Sequence, residues 1–225
     1  LTPREQAIAA REMQVNAGMI EAADFHIGRL LAYLEANGQL ENTIVVVTSD
    51  NGPESGVTSL ANPIANLVLS GIWSLEGKDL SPDNMGLPGS LTAIGPEWAS
   101  VSASPFNLYK FYSSEGGLRV PLVIAGPGVE TRGIQAAPVH VADLMPTLLD
   151  AAGVNYDADA LYGRSILRVL KGETDQTRAA DESFGIEVSG NAALYRGDWK
   201  LVRTALPRGD FTWRLFDLSV DPGET

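Results

Sequence analysis

Asp50 and Asn51 are two hard oxygen donors in succession, and they stand at the abrupt end of an apolar run, Thr43 to Ser49. In open α/β sheets ligand sites gather just beyond the carboxyl ends of strands, so a carboxylate and an amide oxygen presented there can hold a cation. Asp50-Asn51-Gly52 is also an ordinary turn sequence, because Asn and Gly tolerate positive φ, and taken alone these residues favour the turn. Lys110 is the second candidate. It lies inside the aromatic segment Phe106 to Tyr112, FNLYKFY. Its stem can cover the neighbouring rings, the common use of a surface lysine, or its ammonium can be partly desolvated and aimed at an anion. Gly116-Gly117 and Arg119 follow closely. Without a G-x-x-x-x-G-K pattern or a following helix, a tight turn is the better assignment for the two glycines than a phosphate cradle. Arg119 suits an anion or a structural hydrogen bond. Asp24 and His26 admit a metal pair, but a hydrogen-bonded histidine on a helix is the commoner arrangement, and His26 is given no catalytic role.

The elements that must position these residues are legible in outline. Thr2-Pro3-Arg4-Glu5 is a capping box with proline at the first helical position. Ile8, Val15, Met19, Ala23, Ile27, Leu30, Leu31 and Leu34 then mark one apolar helical face up to Gly38, on one long helix or one bent or broken near Gly18. Thr43 to Ser49, nearly all β-branched, has the pattern of a strand buried on both faces in a parallel sheet, which makes a helix-then-strand unit of the α/β kind. Residues 53–105 are rich in Gly, Pro, Ser and Asn, and read as a functional loop or an excursion carrying short helices. Trp73 and Trp98 in it either line a pocket or anchor the loop. Val120 to Ala125 reads as a second buried strand. His140 to Ala152 reads as a helix that Pro146 kinks or restarts, with Asp143 as a cap for its second part. Leu161 to Gly172 holds a shorter helical piece. Four short strands follow, at 182–188, 192–195, 199–203 and 212–217, with Arg196-Gly197-Asp198 as a hairpin turn.

Composition bounds the function classes. The chain has 225 residues, 44% hydrophobic and 20% charged, enough for a sizeable core. Its 16 basic against 28 acidic residues leave a net charge of -12, which opposes non-specific contact with nucleic acid or anionic lipid. No apolar run approaches the ~20 residues that span a bilayer. With no cysteine, thiolate metal sites and a cysteine nucleophile are excluded within these residues. The chain starts at Leu1 and stops at Asp221-Pro222-Gly223-Glu224-Thr225 with no helix to cover the last strands, so it is read as incomplete at both ends.

Five motifs in order resemble those of type I sulfatases: Asp50-Asn51-Gly52 after an apolar strand, Gly116 to Pro121, Asp143 to Leu149, Arg196 to Val202, and Leu215 to Pro222. The stretch around Leu108-Tyr109-Lys110 is similar to bacterial arylsulfatases in particular. The resemblance covers nearly all 225 residues and corresponds to the C-terminal part of such an enzyme. It implies an alkaline-phosphatase-like α/β fold, a mixed sheet flanked by helices over 1–180, with the start of a small antiparallel β subdomain at 181–225. It implies hydrolysis of a small-molecule sulfate ester, with Asp50 and Asn51 as calcium ligands and Lys110 binding the sulfate group. The family nucleophile, a formylglycine made from a C/S-x-P-x-R motif, has no counterpart here. Ser102-Ala103-Ser104-Pro105 has proline at the wrong distance from either serine. The nucleophile, the remaining ligands and the other catalytic residues are therefore expected upstream, and residues 1–225 alone are expected to be inactive. Phosphoester or phosphonate hydrolysis by the same superfamily, and a non-catalytic binding module, stay open. Oligomeric state is not legible, nor is the compartment, bacterial periplasm or cytoplasm.

Overall fold

Thr2 and Glu5 close the capping box that opens the chain. The Thr2 backbone N–H donates to the Glu5 carboxylate at 2.7 Å, and the Glu5 N–H donates to the Thr2 hydroxyl at 3.3 Å. The computed structural model describes residues 1–56 and 63–225. In it, α1 (Pro3–Ala36) is one helix with Gly18 in its interior, neither broken nor restarted there. It ends as a glycine-capped helix should: Gly38 has φ +64°, and the Gln39 N–H reaches back to the Leu34 carbonyl at 2.8 Å. The apolar face expected on α1 is not a buried one. None of its residues is buried, and Met19 and Leu30 are more than half exposed.

The described residues divide into two units, one of residues 31–50 and 121–183, the other of residues 1–30, 51–120 and 184–225. In the first, β1 (Val45–Thr48) pairs with β2 (Leu122–Ala125) in antiparallel register, Val46 opposite Ile124. The expectation of a strand buried on both faces beside parallel neighbours does not hold here. With β2 as its single neighbour among the described residues, β1 is only partly covered, Val45 and Val46 half-buried, Val47 and Thr48 exposed. Ile44, Val46 and Ile124 face Leu144, Leu148, Leu167 and Leu170, while Val47 and Val123 on the other face are 38% and 59% exposed. β2 alternates between half-buried and exposed residues, as a strand covered on one side should.

The same unit carries the segment that Pro146 was expected to restart. A single 3-10 turn, Val141–Asp143, gives way to α5 (Leu144–Ala151), with Pro146 in its first turn, where a missing N–H costs nothing. Asp143 does not cap α5 with its side chain. Its fully buried carboxylate instead accepts from the His140 and Arg164 backbone N–H groups at 2.8 Å each and from the Arg178 guanidinium at 2.8 and 3.0 Å. The piece near 161–172 is the short helix α6 (Leu167–Leu170).

In the other unit, the 53–105 stretch carries α2 (Pro63–Leu75) and α3 (Gly95–Ala103); its residues 57–62 lie outside the described residues. Trp98 is an anchor, donating its indole N–H to the Ala9 carbonyl on α1 at 2.9 Å. After the one-turn helix α4 (Glu115–Leu118) the unit closes with a four-stranded sheet, in the order β3 (Ser183–Val188), β4 (Asn191–Arg196), β5 (Trp199–Arg203), β6 (Trp213–Asp217). Arg196 pairs with Trp199 across the Gly197-Asp198 turn, the hairpin its sequence suggests. On β5, Lys200 and Val202 point to the buried side and Trp199 is half exposed.

Candidate functional site

Asp50 lies two residues beyond the end of β1 and is exposed. Asn51 is half-buried, and its side-chain nitrogen donates to the Gly52 carbonyl at 2.8 Å. In an amide the oxygen is the atom a hard cation takes. From Asn51 on, the chain is bonded backbone to backbone with the segment that carries Lys110. The Gly52 N–H donates to the Gly117 carbonyl at 2.9 Å, and the Lys110 N–H to the Pro53 carbonyl at 3.1 Å. A Cβ at Gly52 would overlap the Gly116 carbonyl, so glycine is required there by proximity rather than by backbone angle.

Lys110 contacts both a ring and a carboxylate. Its ammonium lies 5.3 Å from the centre of the Phe111 ring and forms an ion pair with Glu54 at 2.7 Å, the two side chains 31% and 41% exposed. A pair that wet contributes at most about 1 kcal/mol, so an incoming anion can compete for the ammonium at little cost. The backbone around it is strained. Leu108 and Phe111 have φ of +57° and +77°, a region that side chains with a Cβ enter only when the surroundings over-determine them. Those surroundings are visible. Tyr109 is 1% exposed and packs edge-on against Tyr112 at 5.5 Å, in a core with Ile94 and Ala99. Arg208 donates to the Tyr109 hydroxyl at 3.3 Å. The Phe111 carbonyl accepts from the side chain of buried Asn191 at 2.9 Å, and the Asn191 oxygen takes the Ala205 N–H at 2.8 Å.

Below the lysine loop lies a buried cluster of charge that the periodicity of the sequence does not disclose. Lys200, 0% exposed, sits 2.9 Å from one Glu115 oxygen and 2.8 Å from a Glu224 oxygen. The Tyr195 hydroxyl donates to the same Glu115 oxygen at 2.7 Å, and the Tyr195 ring stacks on Phe184 at 4.7 Å. The other Glu224 oxygen accepts the Glu115 backbone N–H at 2.7 Å. Burial raises the Glu224 carboxyl above the ordinary range, against the opposing pull of Lys200. Burial, and next the Glu115 charge, drive the Tyr195 phenol strongly upward, so that it stays a proton donor.

Asn51 and Lys110 thus belong to one unit, while Asp50 closes a strand of the other. Gly116 and Gly117 do not form the expected tight turn. They are buried inside α4, where a Cβ on Gly116 would overlap the Asn107 and Leu108 carbonyls and one on Gly117 the Tyr112 carbonyl. Arg119 has a structural role, stacked over Phe106 at 4.8 Å and 3.8 Å from Glu115. His26 is exposed and contacts Arg29 at 3.3 Å. Among the described residues no three His, Asp or Glu side chains gather as a complete metal cage would need. Sequence reasoning missed Glu54, Glu115, Lys200 and Glu224. A weak signal for one existed, since Lys200 is two residues from Val202 and so shares its inward register.

A family model described as Sulfatase matches residues 2–154. An uncharacterised sulfatase of Schizosaccharomyces pombe is 34% identical over 233 residues, covering 100% of this chain and 41% of that protein. An arylsulfatase of Klebsiella aerogenes is 38% identical over 160 residues, covering 69% of this chain and 32% of that one. Among solved structures, Ps i-CgsB in complex with k-i-k-neocarrahexaose superposes with a TM-score of 0.62 at 24% identity, covering 93% of this chain and 37% of that one. The chain therefore spans about two fifths or less of the length of these relatives, and its fold is of the alkaline-phosphatase-like kind that such neighbours share.

Proposed function

This chain belongs to the sulfatase family, and from that premise we propose that it serves a sulfuric ester hydrolase of the arylsulfatase type. The nucleophile, a formylglycine, is supplied by residues preceding Leu1, and residues 1–225 alone do not turn over. The observation that carries the reading is Lys110: a lysine held on a strained loop, bonded by its backbone to the segment right after Asn51, its ammonium paired with a half-exposed glutamate. An ammonium has three N–H donors, so Lys110 can keep Glu54 on one and offer the others to sulfate oxygens. As the S–O bond breaks, charge grows on those oxygens, and a fixed donor gains most at that moment.

Asp50 and Asn51 fit a calcium ion in the chemistry of their donors, a carboxylate and an amide oxygen, though not in number, since calcium takes six to eight oxygens. They would contribute two of its ligands, with the rest supplied upstream. When bound, the ion supplies Lewis-acid neutralisation of the sulfuryl oxygens. The Asn51 side-chain nitrogen donates to the Gly52 carbonyl, which supports the amide oxygen as the atom for the ion.

The test is turnover of an aryl sulfate and of the matching aryl phosphate by the intact protein. The sulfate ester should be preferred, and Lys110→Ala should lower kcat/KM by about 100-fold or more, the loss typical of removing one transition-state donor. Preference for phosphate, or an unaffected Lys110→Ala, would sink the reading.

A further inference from the structure

The one-turn helix α4 has little local support beyond the long, half-exposed Arg119–Glu115 pair at 3.8 Å. Four residues are too few for an isolated helix to persist, and its N-cap Ser114 makes no side-chain capping bond. A carboxylate 109 residues away takes that place, since Glu224 accepts the Glu115 N–H at the first turn and is favoured there by the helix dipole. The Glu115 side chain is in turn fixed by Lys200 and Tyr195. α4 is also in backbone contact with both flanks of Lys110. Gly116 abuts the carbonyls of Asn107 and Leu108, and Gly117 those of Tyr109 and Tyr112. With no side chain between them, movement of α4 moves the loop. The two positive-φ residues at 108 and 111 give that loop a reason to relax once its support goes.

We propose that Glu115, clamped by Lys200 and Glu224, is a positioning residue that holds the Lys110 loop in its strained form. This rests on the reading of Lys110 given above and goes beyond it by assigning a role to a buried ion cluster that touches no substrate. Burial of the cluster makes the clamp insensitive to solvent screening, whereas the Lys110–Glu54 pair it serves stays wet.

The test uses the intact protein and the variant Glu115→Gln. Glutamine keeps the size and an acceptor oxygen for Lys200 and Tyr195, and Glu224 still balances the Lys200 charge, so the fold should survive. kcat/KM per folded molecule for an aryl sulfate should fall by about 10–100-fold, the scale of a small misplacement of a reacting group. In a Lys110→Ala background the same substitution should cost nothing further. Amide hydrogen exchange should speed up over residues 107–112 and stay unchanged over 122–125. A folded Glu115→Gln protein with wild-type kcat/KM and wild-type exchange would overturn the proposal, as would losses that multiply in the double variant. Should the protein turn over no sulfate ester, or Lys110→Ala be silent, the reading of Lys110 is what fails. Exchange then decides the clamp alone: faster exchange over 107–112 supports it and retained protection overturns it.

Discussion

Lys110 and Lys200 are the same side chain, each bonded to glutamate at close to 2.8 Å, yet they occupy opposite regimes. Lys110 is about a third exposed and pairs with one carboxylate; Lys200 is 0% exposed and pairs with two. The wet pair is worth little and can be exchanged for a ligand. The dry one cannot be opened without stranding charge in a low dielectric, so it serves only to hold. Distance alone does not separate an exchangeable ion pair from an anchoring one; solvent does.

Four substitutions test that contrast, opening with the largest effect. Lys200→Met should destabilise the protein by about 3–5 kcal/mol in urea unfolding, because two buried carboxylates lose their counter-charge. Lys110→Met should stay within about 1 kcal/mol of wild type; equal losses would erase the distinction. Gly117→Ala should cost about 1–3 kcal/mol, since the new methyl meets backbone carbonyls rather than a flexible side chain. Glu54→Gln should move stability by less than about 1 kcal/mol and lower KM for a sulfate ester, as one negative charge leaves the neighbourhood of the ammonium. A raised KM would mean that Glu54 orients Lys110 instead of competing for it.

The dry cluster also predicts a pH dependence. Glu224 has a raised carboxyl pKa in the folded chain, so the folded state holds its proton more tightly than the unfolded one. The stability this contributes is fully present below the ordinary glutamate value, about pH 4, and is lost as pH rises through the folded value. Wild-type stability should therefore fall relative to Glu224→Gln between pH 4 and 8, measured by denaturant titration at each pH. A constant gap would show that Lys200 offsets the burial completely.

The sequence disclosed what is local. The Thr2–Glu5 box, the Gly38 cap and the Gly197-Asp198 turn form where neighbouring residues imply them, because their partners lie within five positions. The helical face of α1 and the apolar run of β1 were legible as patterns, but which face meets a partner was not. Periodicity marks a face as apolar and does not say what packs on it. Asp50, Asn51 and Lys110 drew notice as candidates because their setting resembles a family. Glu115 and Lys200 were not, because an ion pair between residues 85 positions apart leaves no trace in local spacing. Gly116-Gly117 illustrates the same gap: the glycines were noticed, but their cause is close approach of backbone from residues 107–112.

The Glu224 carboxylate that caps α4 has a consequence for biosynthesis. The ribosome makes Glu115 first and Glu224 109 residues later, a delay of roughly 5–20 s at ordinary elongation rates. Until then the loop bearing Lys110 lacks its lock. The nascent chain therefore carries the loop of residues 107–112 without that support until Glu224 has been made.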